Sequence, residues 1–284
     1  TTTLGCSGQD ANKDKAPEGD TKKSAGKAIQ KSIGMKLAYI PPGKFMMGSP
    51  KTEAGRKDDE TQHEVEITQG FHMSIYAVTQ EEFEVVMGTN PSYFSAKGEG
   101  KEEVAGIDTG RFPVESVTWD EAKEFCRKLS EKEGKTYRLP TEAEWEKAAR
   151  GGLESQRFPW GDEETPGGVH QCNVWQGVFP SDNTNSDGYY GTAPVDAFAP
   201  NGYGLHNMAG NAWEWCADWF TSRRRIADGD ANPRGPDDGT FRVMRGGSYL
   251  CHPSYCWRYR NAARSASTPD TTTGHVGFRC VRDI

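Results

Sequence analysis

Two cysteines in the C-terminal part of the chain have a spacing that lets their thiols meet. Cys251 and Cys256 enclose four residues that include a proline, so a turn between them can direct both thiols to one point. Three interpretations stay open: a structural disulfide, half of a zinc site, and a two-thiolate site for a soft ion such as Cu(I). Zinc would need further ligands, and no second pair of cysteines has comparable spacing. Cu(I) would leave room for a third sulfur ligand and for dioxygen.

A second candidate site is rich in oxygen ligands. Residues 183–188, Asn-Thr-Asn-Ser-Asp-Gly, resemble the first half of an EF-hand calcium loop. The position that should supply the bidentate glutamate of such a loop is Pro194, which argues against an EF-hand. Amides and carboxylates are still the ligands of a hard cation, so the segment is either a calcium site of another kind or an ordinary turn.

The elements that must hold these sites in place are few. Three helices are predicted from capping boxes, in which a threonine is followed three residues later by a glutamate. The threonines are Thr79, Thr118 and Thr141. In the second helix the apolar side chains recur at i, i+3, i+4 and i+7, which puts Cys126 on the buried face.

Strands are predicted where short apolar runs lie between turn signals. Residues 37–40 and 45–48 stand on either side of a Pro-Pro-Gly turn, and residues 64–68 alternate between polar and apolar side chains. The second half of the chain is rich in Gly, Asn, Asp and Trp, and no long helix is predicted there. The sequence therefore predicts a disordered tether over 1–34 and a single α+β domain over 35–284, with a loop-rich second half.

Composition narrows the classes of function. The 284 residues carry a net charge of −7, which argues against the basic surface of a nucleic-acid-binding protein. No run of about 18 uncharged apolar residues occurs in the sequence, so no membrane-spanning helix is predicted. A monomer with no nucleic-acid partner is expected.

The seven cysteines are an odd number, so at least one has no partner in any set of internal disulfides. Cys6 is the candidate, because Leu-Gly-Cys-Ser at residues 4–7 resembles the end of a bacterial lipoprotein signal and a polar tether follows it. A lipid anchor on Cys6 predicts a location in the bacterial cell envelope, facing the periplasm. The alternative is a free cysteine in a disordered tail and a cytoplasmic protein.

Several motifs together resemble those of the formylglycine-generating enzymes, the sulfatase-modifying factor family. The similarity runs from about Met35 to the end of the chain. Its main blocks lie at residues 138–146, 158–161, 173–177, 200–205, 211–215, 245–260 and 277–280. The resemblance implies the family's variant of the C-type-lectin-like fold, which contains little regular secondary structure.

The resemblance also implies an activity. Cys251 and Cys256 would bind Cu(I), and dioxygen would be the co-substrate of an oxidoreductase. The substrate would be a cysteine in a Cys-x-Pro-x-Arg segment of an unfolded sulfatase polypeptide, and the product would be Cα-formylglycine. Ser248, Tyr255 and Trp213 match family positions that line the catalytic pocket, and His252 and Arg264 match positions near the substrate groove.

Structural calcium and one disulfide are implied by the same resemblance. The ligands of a first calcium ion would be Asn173, Asp187 and the carbonyls of Val174 and Tyr189. Those of a second ion would be Asn207, Glu214 and the carbonyls of Gly210 and Ala212. The implied disulfide joins Cys126 to Cys280.

Two rival functions share this domain type. A non-catalytic paralogue would bind sulfatases or other ligands as a lectin-like module. Inactive relatives, however, lack the paired cysteines that this chain has. An iron-dependent sulfoxide synthase needs clustered histidines, and the six histidines here are scattered. The chain departs from the family at His275, where asparagine is usual, and over residues 87–110. Substrate preference is therefore the least transferable property.

Overall fold

The computed structural model describes residues 33–222 and 229–284, together with the backbone of a strand at Ile29–Gln30. Most of the predicted tether, including Cys6, lies outside the described residues. The strand at Ile29–Gln30 pairs antiparallel with residues 36 and 37, so regular structure begins before the predicted boundary at residue 35. No helix in the described part of the chain is long and apolar enough to cross a membrane.

Three helices form where the capping boxes predicted them. They are α1 (Gln80–Met87), α2 (Trp119–Glu133) and α3 (Glu142–Arg150). At each start the threonine hydroxyl accepts the backbone N–H three residues on, and the glutamate there accepts the threonine N–H. Two N–H groups that a helix leaves unpaired are thereby satisfied. Each helix ends at a glycine in the left-handed conformation, at position 88, 134 or 151.

Short strands form four small sheets within the described residues. The first has the spatial order β1 (Ile29–Gln30), β2 (Lys36–Ile40), β5 (Phe71–Ser74), β14 (Val281–Arg282) and β6 (Tyr137–Arg138). The second has the order β10 (Asp230–Ala231), β4 (His63–Ile67) and β3 (Gly43–Met47). The third has the order β12 (Ser265–Ser267), β11 (Arg242–Arg245), β9 (Trp213–Trp219) and β13 (Val276–Gly277). The fourth is a hairpin of β7 (Gly177–Val178) and β8 (Asp182–Asn183).

The two strands around the Pro-Pro-Gly turn belong to different sheets. β2 pairs with β5, and β3 pairs with β4, so the turn passes the chain from one sheet to the next. β14, the last strand of the domain, lies between β5 and β6, so the end of the chain pairs with strands from its first half. The predicted loop-rich, single α+β domain is confirmed.

Hydrophobic clusters fill the space between the helices and the sheets. The ring of Phe125 in α2 stacks on Phe83 in α1 at 5.6 Å and meets the edge of Phe278 at 5.3 Å. A second cluster surrounds the buried Trp145 of α3. The predicted inward face of α2 is therefore confirmed, and it places Cys126 in the core.

Buried arginines fasten the loops to this core. Arg245 in β11 pairs with Glu142 and Glu146 of α3 at 2.9 and 2.6 Å, and Arg260 pairs with Glu60 at 2.7 Å. Both guanidinium groups are almost completely buried. Removing one partner of such a pair costs about 3–5 kcal/mol, because a charge is then left buried and unpaired. These pairs therefore fix where the loops lie.

Candidate two-thiol active site

The loop that carries both cysteines leaves β11 through two glycines. Gly246 and Gly247 have φ angles of 94° and 78°, in the left-handed region that favours glycine. A Cβ on Gly247 would also lie 2.9 Å from the Cβ of Tyr259. The chain can therefore return this close to itself only with glycine, and the return makes residues 248–259 a compact loop.

Cys251 and Cys256 face each other across this loop. Their Sγ atoms lie 3.0 Å apart. The N–H of Cys251 donates to the carbonyl of Ser248 at 2.9 Å, and that of Cys256 donates to the carbonyl of His252 at 2.7 Å. Cys251 is 1% exposed, whereas Cys256 is half-buried. Solvent, and any substrate, therefore reaches the pair from the Cys256 side.

The two thiols differ in acidity. A hydrogen bond from Cys251 is the main cause that lowers the pKa of Cys256 to about 7, and the positive charges of Arg258 and Lys57 act in the same direction. Burial, followed by the same hydrogen bond, raises the pKa of Cys251 well above its ordinary value. At neutral pH the proton of the pair therefore stays on Cys251, and Cys256 is partly ionised as a thiolate.

The predicted pocket residues lie at different depths around the pair. Ser248 is buried; its hydroxyl accepts the N–H of Leu250 at 3.3 Å, and Ser248 also hydrogen-bonds Cys251. Trp213 begins β9 and is buried in the same hydrophobic cluster as Cys251. Tyr255 is 73% exposed, so it stands at the rim of the loop.

The two predicted substrate contacts differ in availability. His252 is half-buried at the rim, with its Nδ1 2.7 Å from the hydroxyl of Ser254. Arg264 is buried: its Nε and Nη2 donate to Glu142 at 2.6 and 2.9 Å, and its Nη1 donates to two backbone carbonyls. Four of its five N–H donors are thus used inside the protein. This placement favours a structural role for Arg264 over the predicted substrate contact.

At the first predicted calcium site, two of the four predicted ligands accept hydrogen bonds from the same side-chain amide. The side-chain amide of Gln176 donates to Asp187 Oδ2 at 2.7 Å and to the carbonyl of Val174. The other oxygen of Asp187 accepts the N–H of Tyr189 at 3.0 Å. The Gln176 amide thus lies between a carboxylate and a carbonyl oxygen, two of the ligand types that a hard cation takes. Asn173 lies nearby in sequence, and its amide donates to the carbonyl of Gly191 at 2.8 Å.

The second predicted calcium site contains one unsatisfied oxygen. Oδ1 of Asn207 is buried without a hydrogen-bond partner. Glu214, in contrast, is engaged: Nε and Nη2 of Arg279 each donate to it at 2.7 Å, and the indole N–H of Trp145 donates at 2.6 Å. The described residues contain no cluster of three or more His, Cys, Asp or Glu side chains suited to a metal ion. Any ion here would depend on amide and carbonyl oxygens as well, including those of Gly210 and Ala212.

The cysteines of the predicted disulfide are neighbours. Sγ of Cys126 in α2 lies 3.7 Å from Sγ of Cys280, just before β14, and both residues are buried. Cys172 and Cys216 belong to different hydrophobic clusters, and burial raises the pKa of each thiol well above its ordinary value. The pairing of Cys126 with Cys280 stays a prediction, and the geometry is compatible with it.

The comparison with family models decides the family. The model for the sulfatase-modifying factor enzyme 1-like domain matches residues 23–284. The chain belongs to this family. The resemblance found in the sequence motifs is thereby confirmed, and the family match begins upstream of the boundary predicted at residue 35.

Individual members of the sulfatase-modifying family resemble the chain to different degrees. A formylglycine-generating enzyme from Thermomonospora curvata is 56% identical over 179 residues, which cover 62% of this chain and 57% of that protein. The inactive C-alpha-formylglycine-generating enzyme 2 of Bos taurus is 42% identical over 172 residues, which cover 60% of this chain and 50% of that protein. The chain therefore spans between half and three-fifths of the length of these curated relatives. The solved structure of PvdO from Pseudomonas aeruginosa covers 92% of this chain, and this chain covers all of it, with a TM-score of 0.76 and 27% identity.

One wall of the site in this family member was not predicted from the sequence. The buried Arg260 donates to Glu60, to Glu53 and, at 2.9 Å, to the carbonyl of Gly55, which holds the loop at 50–60 against the loop at 248–259. A Cβ on Gly55 would lie 2.7 Å from the ring of Trp257, so the two loops are in close contact. The sequence signal for this contact is the group of basic residues that follows Cys256. No local pattern identifies acidic partners about 200 residues away in the chain.

Proposed function

We propose that this chain oxidises a cysteine of a sulfatase-type polypeptide to Cα-formylglycine, with Cu(I) as cofactor and dioxygen as co-substrate. The observation that carries the proposal is the pair of thiols 3.0 Å apart, one buried and one reachable from solvent. Similarity to the formylglycine-generating enzyme of Thermomonospora curvata supports the type of reaction.

The two cysteine sulfurs suit Cu(I) in their chemistry, and Cys256 can be reached from solvent. Cu(I) prefers soft thiolate ligands, and Cys256, with a pKa of about 7, offers a thiolate at neutral pH. Binding of a metal ion would release the proton that Cys251 holds. When bound, copper would supply the redox chemistry by which dioxygen reacts with a substrate thiol.

The chain's own residues would orient the substrate and exclude water. Ser248 hydrogen-bonds Cys251 and keeps its sulfur toward Cys256. Trp213, in the same hydrophobic cluster as Cys251, would help to keep water away from the buried thiol. The substrate cysteine can therefore approach only past the half-buried Cys256, which fixes its position relative to the thiol pair.

The chemical change at the substrate is confined to one side chain. Two electrons, a Cβ hydrogen and the thiol proton would pass from the target cysteine to dioxygen, and water would then displace the sulfur as hydrogen sulfide, so that the side chain becomes an aldehyde. The target would be the cysteine of a Cys-x-Pro-x-Arg segment in an unfolded sulfatase. Because Cys251 is 1% exposed and Cys256 is half-buried, the target cysteine would have to be offered by a segment that is free to enter the site.

We also propose that two calcium ions stabilise the loop-rich half of the domain. The unsatisfied Oδ1 of Asn207 supports the second site, and the convergence of Asp187 and the Val174 carbonyl on one donor supports the first. A β-bridge between Asn173 and Gly210 joins the two ligand-bearing segments. Ions at these positions would therefore fix both segments relative to each other.

A lipid anchor on Cys6 and an envelope location complete the proposal. In that compartment a disulfide between Cys126 and Cys280 would persist. Fractionation of cells that express the full-length precursor, with Cys6→Ala as the comparison, tests the anchor, and peptide mapping of envelope-extracted protein tests the disulfide. Equal amounts of both proteins in the soluble cytoplasmic fraction, with Cys126 and Cys280 found as free thiols, would contradict both.

The proposed reaction is tested by mass spectrometry of a Cys-x-Pro-x-Arg peptide incubated with Cu(I)-loaded protein in air. Wild type should produce the mass loss of aldehyde formation, and Cys251→Ser and Cys256→Ser should produce none because a hydroxyl binds Cu(I) poorly. Cys172→Ala is the matched control, since it removes a buried cysteine outside the pair. A wild type that binds copper but yields no aldehyde would favour a non-catalytic role.

A further inference from the structure

A partly exposed row of aromatic rings, here called the aromatic ladder, connects the loop of the thiol pair with the β7–β8 hairpin. It consists of Trp175, Phe179 and Tyr255. Tyr255 and Phe179 stack with their ring centres 4.8 Å apart and their planes 11° from parallel. Phe179 in turn meets Trp175 at 5.3 Å with its ring nearly perpendicular. Val178, which is 63% exposed, precedes Phe179 in the hairpin.

Both end residues of the aromatic ladder are joined to the loop that carries the thiol pair. Tyr255 directly precedes Cys256, and the N–H of Trp175 donates to the carbonyl of Cys251 at 2.9 Å. The ladder also lies outside the hydrophobic core: Tyr255 is 73% exposed, and Phe179 and Trp175 are only half-buried. Exposed apolar surface of this kind next to a reactive centre marks an interaction site.

We infer that the aromatic ladder docks an apolar side chain that flanks the target cysteine of the substrate polypeptide, an inference that rests on the proposed function. The two ring spacings together match about three residues of extended chain at roughly 3.3 Å each. A substrate whose cysteine reaches Cys256 must therefore carry its neighbouring residues across these rings. Aromatic faces recognise apolar and proline side chains without requiring a folded partner.

The indole N–H of Trp175 adds a polar contact to this surface. It is buried and has no hydrogen-bond partner. Buried donors are nearly always paired, so an unpaired one beside a binding surface points to an acceptor that arrives with the ligand. A backbone carbonyl of an extended peptide is such an acceptor.

A second copy of this chain is the rival occupant, and the size of the patch disfavours it. A stable interface buries roughly 800 Å² on each partner. Three partly covered rings and one valine expose much less, since a fully buried aromatic side chain contributes about 150–250 Å². The patch suits one or two side chains of a peptide.

A double-mutant cycle between the ladder and the peptide tests the inference. Phe179→Ala and wild type are each given two peptides that share the Cys-x-Pro-x-Arg motif, one with leucine and one with glycine in the three positions on each side of it. Aldehyde formation gives KM and kcat. Fluorescence anisotropy with serine in place of the target cysteine gives binding without chemistry. Phe179→Tyr, which keeps the ring, and Val169→Ala, at an apolar residue outside the ladder that is 60% exposed, are the controls.

The expected result is a loss that depends on the peptide. Phe179→Ala should raise KM about fivefold to tenfold for the leucine-flanked peptide and less than twofold for the glycine-flanked one, with kcat unchanged. Phe179→Tyr and Val169→Ala should behave as wild type. Equal effects on both peptides, no effect on either, or a dimer in sedimentation that Phe179→Ala dissociates would overturn the inference. If wild type forms no aldehyde, the proposed function fails, and the anisotropy comparison still decides whether the ladder docks the peptide.

Discussion

Replacing Glu60 by glutamine should destabilise the wall of the proposed active site. Glu60 is 3% exposed and accepts Nη2 and Nη1 of Arg260 at 2.7 and 2.9 Å and the hydroxyl of Ser49 at 3.0 Å. Glu60→Gln keeps the shape of the side chain but removes its charge and turns one acceptor toward Arg260 into a donor. Breaking a buried ion pair costs about 3–5 kcal/mol. Because Glu53 also contacts Arg260, we expect about 2–3 kcal/mol here.

The matched control is Glu64→Gln, the same chemical change on a side chain that is 40% exposed and pairs with Lys44. Exposed ion pairs contribute little to stability. In a domain of this size each kcal/mol corresponds to about 2–4 °C in melting temperature, so Glu60→Gln should melt about 4–12 °C below wild type. Glu64→Gln should melt within experimental scatter of wild type. Thermal unfolding followed by circular dichroism measures both, and equal shifts in the two variants would refute the reasoning.

Two further predictions concern the ions and the thiols. A calcium chelator should lower the melting temperature of wild type, because an ion that binds only the folded state stabilises it; Asp187→Ala or Glu214→Ala should remove most of that response, and an identical melting curve in chelator would contradict a structural ion. In copper-free protein, the rate at which Cys256 reacts with iodoacetamide should rise with pH around a midpoint of about 7. Cys251→Ala should move that midpoint upward because the hydrogen bond that stabilises the thiolate is lost, and an unchanged midpoint would show that Cys251 does not set it.

The helices of this fold could be predicted from the sequence because their determinants are local. A threonine and a glutamate three residues later lie within one segment, and each of the three α-helices begins directly after that threonine. Strand pairing could not be predicted in the same way. β5 pairs with β2 and also with β14 from the end of the chain, and no residue of β5 identifies either partner.

In the candidate site, too, local features could be predicted from the sequence and contacts between distant segments could not. Cys251 and Cys256 lie on one loop, so their spacing was enough to predict that the thiols meet. The family motif predicts that Arg264 lies near the substrate groove, yet Glu142, 122 residues away, holds its guanidinium inside the protein. The aromatic ladder also depends on distant residues, since Phe179 and Tyr255 come from separate loops. Only packing brings such partners together.

The most direct test of the central claim measures copper and aldehyde on the same samples. Wild type, Cys251→Ser, Cys256→Ser and Cys172→Ala are loaded anaerobically with Cu(I), freed of excess metal and exposed to air with the Cys-x-Pro-x-Arg peptide. Wild type and Cys172→Ala should retain about one copper per chain and convert the peptide cysteine to formylglycine, and the two serine variants should do neither. Conversion of the peptide by either serine variant at the wild-type rate would contradict the two-thiol account.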